Sequence, residues 1–205
     1  MKAAVVTAPG LLELKDFPMP KPGPYQALCR MRYASTCTGT DLRLLSGDLP
    51  GSARIPFVLG HESIGEVIQT GSKVRFLKPG DLVSRTGVPR DEAQGMGSLY
   101  GAFAEYGLAV DWRAMQADGL PENEWRGYRA HLPVPDGLSA KAAPMLITWR
   151  ETLSFAKRMG LTQGSRLLVI GSGGNGLAYA AHARHMGARC AVIGSETRRD
   201  LFVSC

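Results

Sequence analysis

The chain has 205 residues, 44% hydrophobic and 20% charged, with 25 glycines and a formal net charge of +6, a composition that excludes disorder and fits a turn-rich globule with one core or a larger and a smaller unit. Its Lys and Arg are scattered in ones and twos ("KVRFLK", "ETRRD") with no basic block or aromatic platform, so a nucleic-acid partner is not expected. No run approaches the roughly 18 apolar residues that span a bilayer, and "MKAAVVTAPG" breaks at Gly10 without the apolar centre of a signal peptide, so no membrane association and a cytoplasmic location are expected.

Up to about residue 135 the chain reads as short strands cut by Gly and Pro. "QALCRMRY" alternates, with Ala27, Cys29, Met31 and Tyr33 on one face and Gln26, Arg30 and Arg32 on the other, the period of a half-buried strand. "SIGEVIQTGSKV" predicts a strand, a turn at Gly71 and a return; "KPGDLV" and "GAFAEYGLAV" predict two more strands entered through turn residues. This is the pattern of a small β-barrel or sandwich. The four cysteines, Cys29, Cys37, Cys190 and Cys205, lie far apart with no CxxC pair, which predicts thiols and not a disulfide or zinc-ribbon framework.

After "PVPDGLS" the grammar changes. Ser139 can cap a helix running into "AKAAPMLI", and "TWRETLSFAKRMG" has helical spacing that stops at Gly160. Next come an apolar strand (Leu167 to Ile170), a glycine turn, an Ala-rich helix and a second apolar strand (Cys190 to Ile193), the order of one βαβ unit. The turn, Gly171-Ser172-Gly173-Gly174-Asn175-Gly176, follows a strand and opens a helix, which is the context a dinucleotide-binding turn requires. Gly171 would make the tight turn, Gly173 and Gly174 would let backbone approach a pyrophosphate, and Gly176 would let helix pack on strand. At the end of the second strand, where an acid usually selects NAD by binding its ribose hydroxyls, stands Gly194-Ser195-Glu196-Thr197-Arg198-Arg199. Gly194 leaves room for a 2′-phosphate, Ser195 can donate to it and Arg198 or Arg199 can neutralise it, so NADP is favoured over NAD, with Glu196 as the opposing sign.

With "GTDL", "GHE" and "GSGGNG" in this order, the chain resembles the zinc-type alcohol dehydrogenases of the medium-chain dehydrogenase/reductase superfamily, over essentially its whole length. The resemblance implies an α/β and β architecture: a GroES-like β-barrel catalytic domain over residues 1–145, then a linking helix and the first βαβ of a Rossmann domain over residues 146–205. It implies hydride transfer between an alcohol or polyol, or its carbonyl, and NAD(P), with a small-molecule substrate, and it allows a homo-oligomer. It assigns His61 to a catalytic zinc with Glu62 close behind. Thr40 matches the hydroxyl that passes the alcohol proton to solvent, and Asp41 the acid that orients the histidine. The family's cysteine ligand, however, falls on Thr38, with Cys37 one residue too early, and the segment "AAPMLITW", where the third ligand belongs, offers none. Three readings therefore stay open: a zinc-free site with His61 retained for structure or proton handling; a shifted site in which Cys37, His61 and Glu62 hold zinc; and His61 as a core residue. A structural zinc is not expected, because "SRTGVPRDEAQGMGSLYGAF" replaces the usual cysteine-rich lobe.

Trp149 is expected either to wall the substrate pocket or, as a lone aromatic at a seam, to pack there, and His131, His182 and His185, which have no partner motif, to be structural. The chain stops at "DLFVSC" after the second strand, so it reads as a fragment or a truncated product. Two classes of function follow: an oxidoreductase of the alcohol dehydrogenase type, and a catalytically silent binding or structural remnant of one.

Overall fold

A computed structural model describes residues 1–49, 55–89, 97–98 and 100–204. The chain divides into two compact units, Met1–Met145 and Leu146–Cys205.

The first unit opens with β1 (Lys2–Ala8) and β2 (Leu11–Asp16), followed by β3 (Gln26–Ser35), α1 (Thr38–Ser46), β4 (Phe57–Val58), β5 (Glu62–Thr70), β6 (Leu82–Ser84), β7 (Gly97–Ser98) and β8 (Tyr106–Val110), and then by α2 (Trp112–Ala117) and α3 (Glu122–Trp125). Among the described residues these strands make two four-stranded sheets, ordered β2-β1-β4-β7 and β6-β5-β3-β8. Isolated bridges at Ala3–Ala104, Gly87–Leu108 and Val83–Pro133 supplement the ladders. The expected barrel is thus two sheets and not one closed cylinder. Core residues come from the inward faces: Ala27, Cys29, Val67 and Val83 in one cluster, Val6, Leu44, Phe57 and Leu59 in another.

The alternation expected of "QALCRMRY" holds only in part. Leu28 is buried beside Ala27 and Cys29, so this stretch is covered on both faces. Further on, the register with β5 shifts between Met31 and Tyr33. An extra residue in one strand reverses the parity of every side chain beyond it, and Tyr33 is 46% exposed instead of joining the core. The return expected directly after Gly71 is made later, by β6, which pairs antiparallel with β5.

In the second unit, α4 (Met145–Arg158), β9 (Arg166–Ile170), α5 (Gly174–His185) and β10 (Arg189–Ile193) precede a short α6 (Arg199–Val203). The helix expected from Ser139 begins later. The Ser139 hydroxyl accepts the Ala142 N–H at 3.3 Å, closing a single turn, and Pro144 disfavours helical backbone at the residue before it, so α4 starts only at Met145. Gly160, at φ 75°, ends it, with the Leu161 N–H returning to the Ala156 carbonyl at 3.0 Å. β9 and β10 pair in parallel from Arg166–Arg189 to Ile170–Ile193. Ala156, Leu161 and Ala183 are the buried centre of this unit. Among the described residues no helix is long and apolar enough to cross a membrane.

Candidate functional site

Two clusters emerge, one in each unit. In the first unit, α1 begins at Thr38 with Cys37 as its N-cap. The Asp41 carboxylate folds back over this turn: Oδ2 accepts the Cys37 backbone N–H at 2.9 Å, and Oδ1 lies 3.1 Å from His61 Nδ1. Asp41 is 5% exposed and His61 7%. With Nδ1–H donated to the carboxylate, the neutral ring keeps its lone pair on Nε2. Gly60 sets the approach of His61. Its φ is 91°, and a Cβ there would sit 2.6 Å from the Phe103 ring, so only glycine fits between the strand and that ring.

Glu62 opens β5 directly opposite Ser35 at the end of β3. It is 5% exposed, and its Oε2 accepts the Ser35 hydroxyl at 2.6 Å. One donor atom each from Cys37, His61 and Glu62 lie within 4.8 Å of one another. Thr38, at the position where the family resemblance places the cysteine, is exposed. The Cys37 thiol donates to the Thr40 hydroxyl at 3.5 Å, so Thr40 borders the same group. Tetrahedral zinc with one sulfur, one nitrogen and one oxygen donor needs separations of about 3.3–3.8 Å. Side-chain rotations of about 1 Å reach that from the observed spread, and thiolate, imidazole and carboxylate are the donor types zinc takes. The residues present therefore fit the metal.

Residue order alone did not point to Ser35, Arg85 or Tyr100. The Arg85 Nε–H donates to the His61 carbonyl at 3.4 Å, and the Tyr100 ring lies 6.1 Å from the His61 ring. Both come from the "SRTGVPRDEAQGMGSLYGAF" segment, whose residues 90–96 and 99 lie outside the described residues.

The second cluster surrounds the glycine turn of the second unit. Gly171 has φ 118°, and its N–H donates to the Ile193 carbonyl at 2.7 Å, tying the turn to β10. Gly173 is the N-cap of α5 and Gly174 its first residue. Nothing lies within 4 Å of where a Gly173 Cβ would be, so a ligand phosphate can meet bare backbone and the first N–H groups of the helix. A Cβ on Gly176 would collide with the Gly171 carbonyl oxygen. Gly194 meets Ser172 in the same way, a packing role beyond the room it leaves. The Ser195 N–H donates to Ser172 Oγ at 2.9 Å, and Ser195 Oγ lies 2.8 Å from Thr197 Oγ1. Arg198 Nη1 donates to the Ser172 carbonyl at 3.0 Å. Arg199 turns to Glu196 instead, at 3.1 Å. Thr197 is the hydroxyl that residue order did not single out.

Of the histidines without a motif, His131 and His182 have partners within their units, while His185 is exposed. His131 Nδ1 accepts the Val110 N–H at 2.7 Å; burial, with the Arg85 charge adding to it, pushes its pKa down to about 4. His182 Nε2 lies 3.1 Å from both Thr152 Oγ1 and the Trp149 carbonyl, and burial lowers its pKa. Trp149 sets its ring edge against His182 at 5.3 Å.

Residues 23–119 match the alcohol dehydrogenase GroES-like domain. Sorbitol dehydrogenase of Ovis aries is 30% identical over 195 residues, covering 92% of this chain and 53% of the relative. L-threonine 3-dehydrogenase of Streptomyces avermitilis is 36% identical over 214 residues, covering 98% and 59%. Among solved structures, a zinc-binding dehydrogenase of Sinorhizobium meliloti 1021 bound to NADP superposes with a TM-score of 0.72 at 26% identity, over 99% of this chain and 59% of that one. These matches support membership of the zinc-type alcohol dehydrogenase family of the medium-chain dehydrogenase/reductase superfamily. It spans about half the length of the curated relatives it matches.

Proposed function

We propose that this chain carries the proton-handling, metal-binding and pyrophosphate-binding parts of an NAD(P)-dependent alcohol oxidoreductase acting on an alcohol or polyol. The observation that carries the reading is the convergence of Cys37, His61 and Glu62 on one point, with Asp41 behind His61. Sorbitol and L-threonine, named in the relatives, are both hydroxyl compounds, and the solved relatives include one with NADP and an acetophenone reductase of Geotrichum candidum with NAD. The serine, threonine and arginine around the tip of β10 favour NADP.

Cys37, His61 and Glu62 would hold the metal, leaving a fourth position open, as in catalytic zinc sites. Bound there, zinc would polarise a substrate hydroxyl or carbonyl as a Lewis acid. Asp41 holds the imidazole in the tautomer whose Nε2 is a donor to metal and keeps the ring from turning. Ser35 holds Glu62 by the hydroxyl it donates. Thr40, half-buried at the first turn of α1, accepts the substrate hydroxyl proton and releases its own to solvent. The glycine turn would hold the cofactor pyrophosphate on its backbone N–H groups, and Arg198, beside the turn, would supply positive charge for a ribose phosphate.

Elemental analysis of the chain refolded with zinc tests the metal reading. About one zinc per chain is expected, lost on Cys37→Ala and kept on Thr38→Ala. Zinc retained by folded Cys37→Ala overturns the assignment.

A further inference from the structure

The pairing of β9 with β10 does not stop at its last backbone pair. Ile170 sits opposite Ile193, and the Gly171 N–H still reaches the Ile193 carbonyl at 2.7 Å. One step on, past the end of β9, a side chain takes over: Ser172 Oγ accepts the Ser195 N–H at 2.9 Å. The two segments also press together, since a Cβ on Gly194 would collide with Ser172 Cβ and Oγ. A third tie runs back from the tip of β10, from Arg198 Nη1 to the Ser172 carbonyl at 3.0 Å. Three residues of the tip thus converge on one residue of the turn.

We propose that Ser172 is a positioning residue for recognition of a nucleotide that carries phosphate on both its 5′ and its 2′ oxygen. The inference rests on the cofactor reading above and names the residue that joins its two phosphate subsites. A 5′-linked phosphate would meet bare backbone at Gly173 and the first N–H groups of α5, and a 2′-phosphate would meet the tip of β10. The distance between these subsites is set by the contact of turn with tip, and beyond the Gly171–Ile193 bond that contact runs through Ser172. Donors remain at the tip. Arg198 spends one of its five N–H groups on the Ser172 carbonyl and has no other partner among the described residues. Ser195 Oγ and Thr197 Oγ1 spend one proton on each other, which leaves the second free to donate. Glu196, the one acid of the tip, is drawn to Arg199 at 3.1 Å, so its charge is compensated there. Without the Ser172 hydroxyl the Ser195 N–H loses its acceptor, and the tip is tied to the turn by the Arg198 side chain, the same group that must meet the phosphate. A nucleotide with only a 5′-phosphate needs the turn and not the tip, so the loss falls on the 2′-phosphate.

Calorimetric titration of the folded chain with adenosine 2′,5′-bisphosphate and with adenosine 5′-monophosphate tests this, with exchange of the Ser195 amide proton followed by NMR. The native chain is expected to bind the bisphosphate more tightly. Ser172→Ala should weaken the bisphosphate about 3–10-fold, the scale of one lost hydrogen bond, leave the monophosphate nearly unchanged, and speed exchange at Ser195. Gly194→Ala keeps every hydroxyl but forces turn and tip apart, and should lose the same preference, so the test stands even where Ser172→Ala does not fold. A native chain that binds neither nucleotide overturns the cofactor reading, and the inference with it. Where the native chain prefers the bisphosphate, an unchanged preference in folded Ser172→Ala overturns the inference alone. Equal weakening of both nucleotides does so too, because Ser172 would then merely stabilise the turn.

Discussion

Asp41→Asn separates the two tasks of the carboxylate beneath His61. In the native chain Asp41 accepts the Cys37 N–H at 2.9 Å and faces His61 Nδ1 at 3.1 Å. Asparagine keeps one acceptor oxygen, which can stay on the Cys37 N–H, but presents an NH2 group to Nδ1. The ring must then move its proton to Nε2, the nitrogen left for metal. Loss of the charge on two hydrogen bonds should cost about 1–3 kcal/mol of stability, the difference between charged and neutral pairs summed over both. Zinc affinity should fall further, by about 10–100-fold, the usual effect of removing a carboxylate that orients a ligating histidine. Asp41→Ala, which leaves the half-buried Cys37 N–H without its carboxylate acceptor, should lose about 2–4 kcal/mol in all. Urea denaturation measures the first effect, competition with a chelating indicator the second, and nitrogen-15 chemical shifts report the His61 tautomer. A folded Asp41→Asn protein with an unchanged tautomer and unchanged zinc affinity would refute the reasoning, because Asp41 would then be a helix cap and nothing more.

Three further outcomes are expected. Gly176→Val places a side chain against the Gly171 carbonyl oxygen, and should destabilise the second unit by about 1–3 kcal/mol and abolish nucleotide binding, read by urea denaturation and calorimetry; native stability in the variant would contradict the close packing. Arg198→Ala should weaken binding of adenosine 2′,5′-bisphosphate by about 1.5–3 kcal/mol while Arg199→Ala, already paired with Glu196, changes it little; equal losses would show that the ion pair opens for the ligand. His131 has a folded pKa of about 4 against an ordinary 6.5, so the unfolded chain binds the extra proton between these values and stability must fall as pH drops from 6.5 toward 4, by about 2–3 kcal/mol. That slope should shrink in His131→Asn, and a slope identical to the native chain's would place the titration elsewhere.

The glycine turn was readable because its information is contiguous. Strand, turn and helix follow one another within about thirty residues, and Gly171, Gly173 and Gly176 each answer a local demand: a positive φ, an open approach and a close contact. The pairing of His61 with Asp41 followed from the family motif. Other features depended on phase. Whether Cys37 or Thr38 reaches the cluster turns on where α1 starts: Cys37, as the N-cap, projects into the cluster, and Thr38, one step on, points to solvent. Tyr33 was misplaced because the register shift between Met31 and Tyr33 reverses its side, and no alternation rule marks where an extra residue enters a strand.

Arg198 and Arg199 are adjacent and chemically identical, yet one spans to the Ser172 carbonyl and the other closes on Glu196. Only the short helical turn after β10 separates them. The sequence by itself determined the two kinds of unit, their order and the dinucleotide turn, since these rest on periodicity and short-range spacing, while the buried histidine and acids came from the motifs of the family it resembles. The tertiary structure decided which side chains meet, through the N-cap position of α1, the Ser35–Glu62 register and the approach of Arg85 to His61. Those contacts join residues 24 to 27 positions apart in the chain, and a one-residue change of helix phase or strand register rebuilds all of them while leaving composition and local pattern untouched.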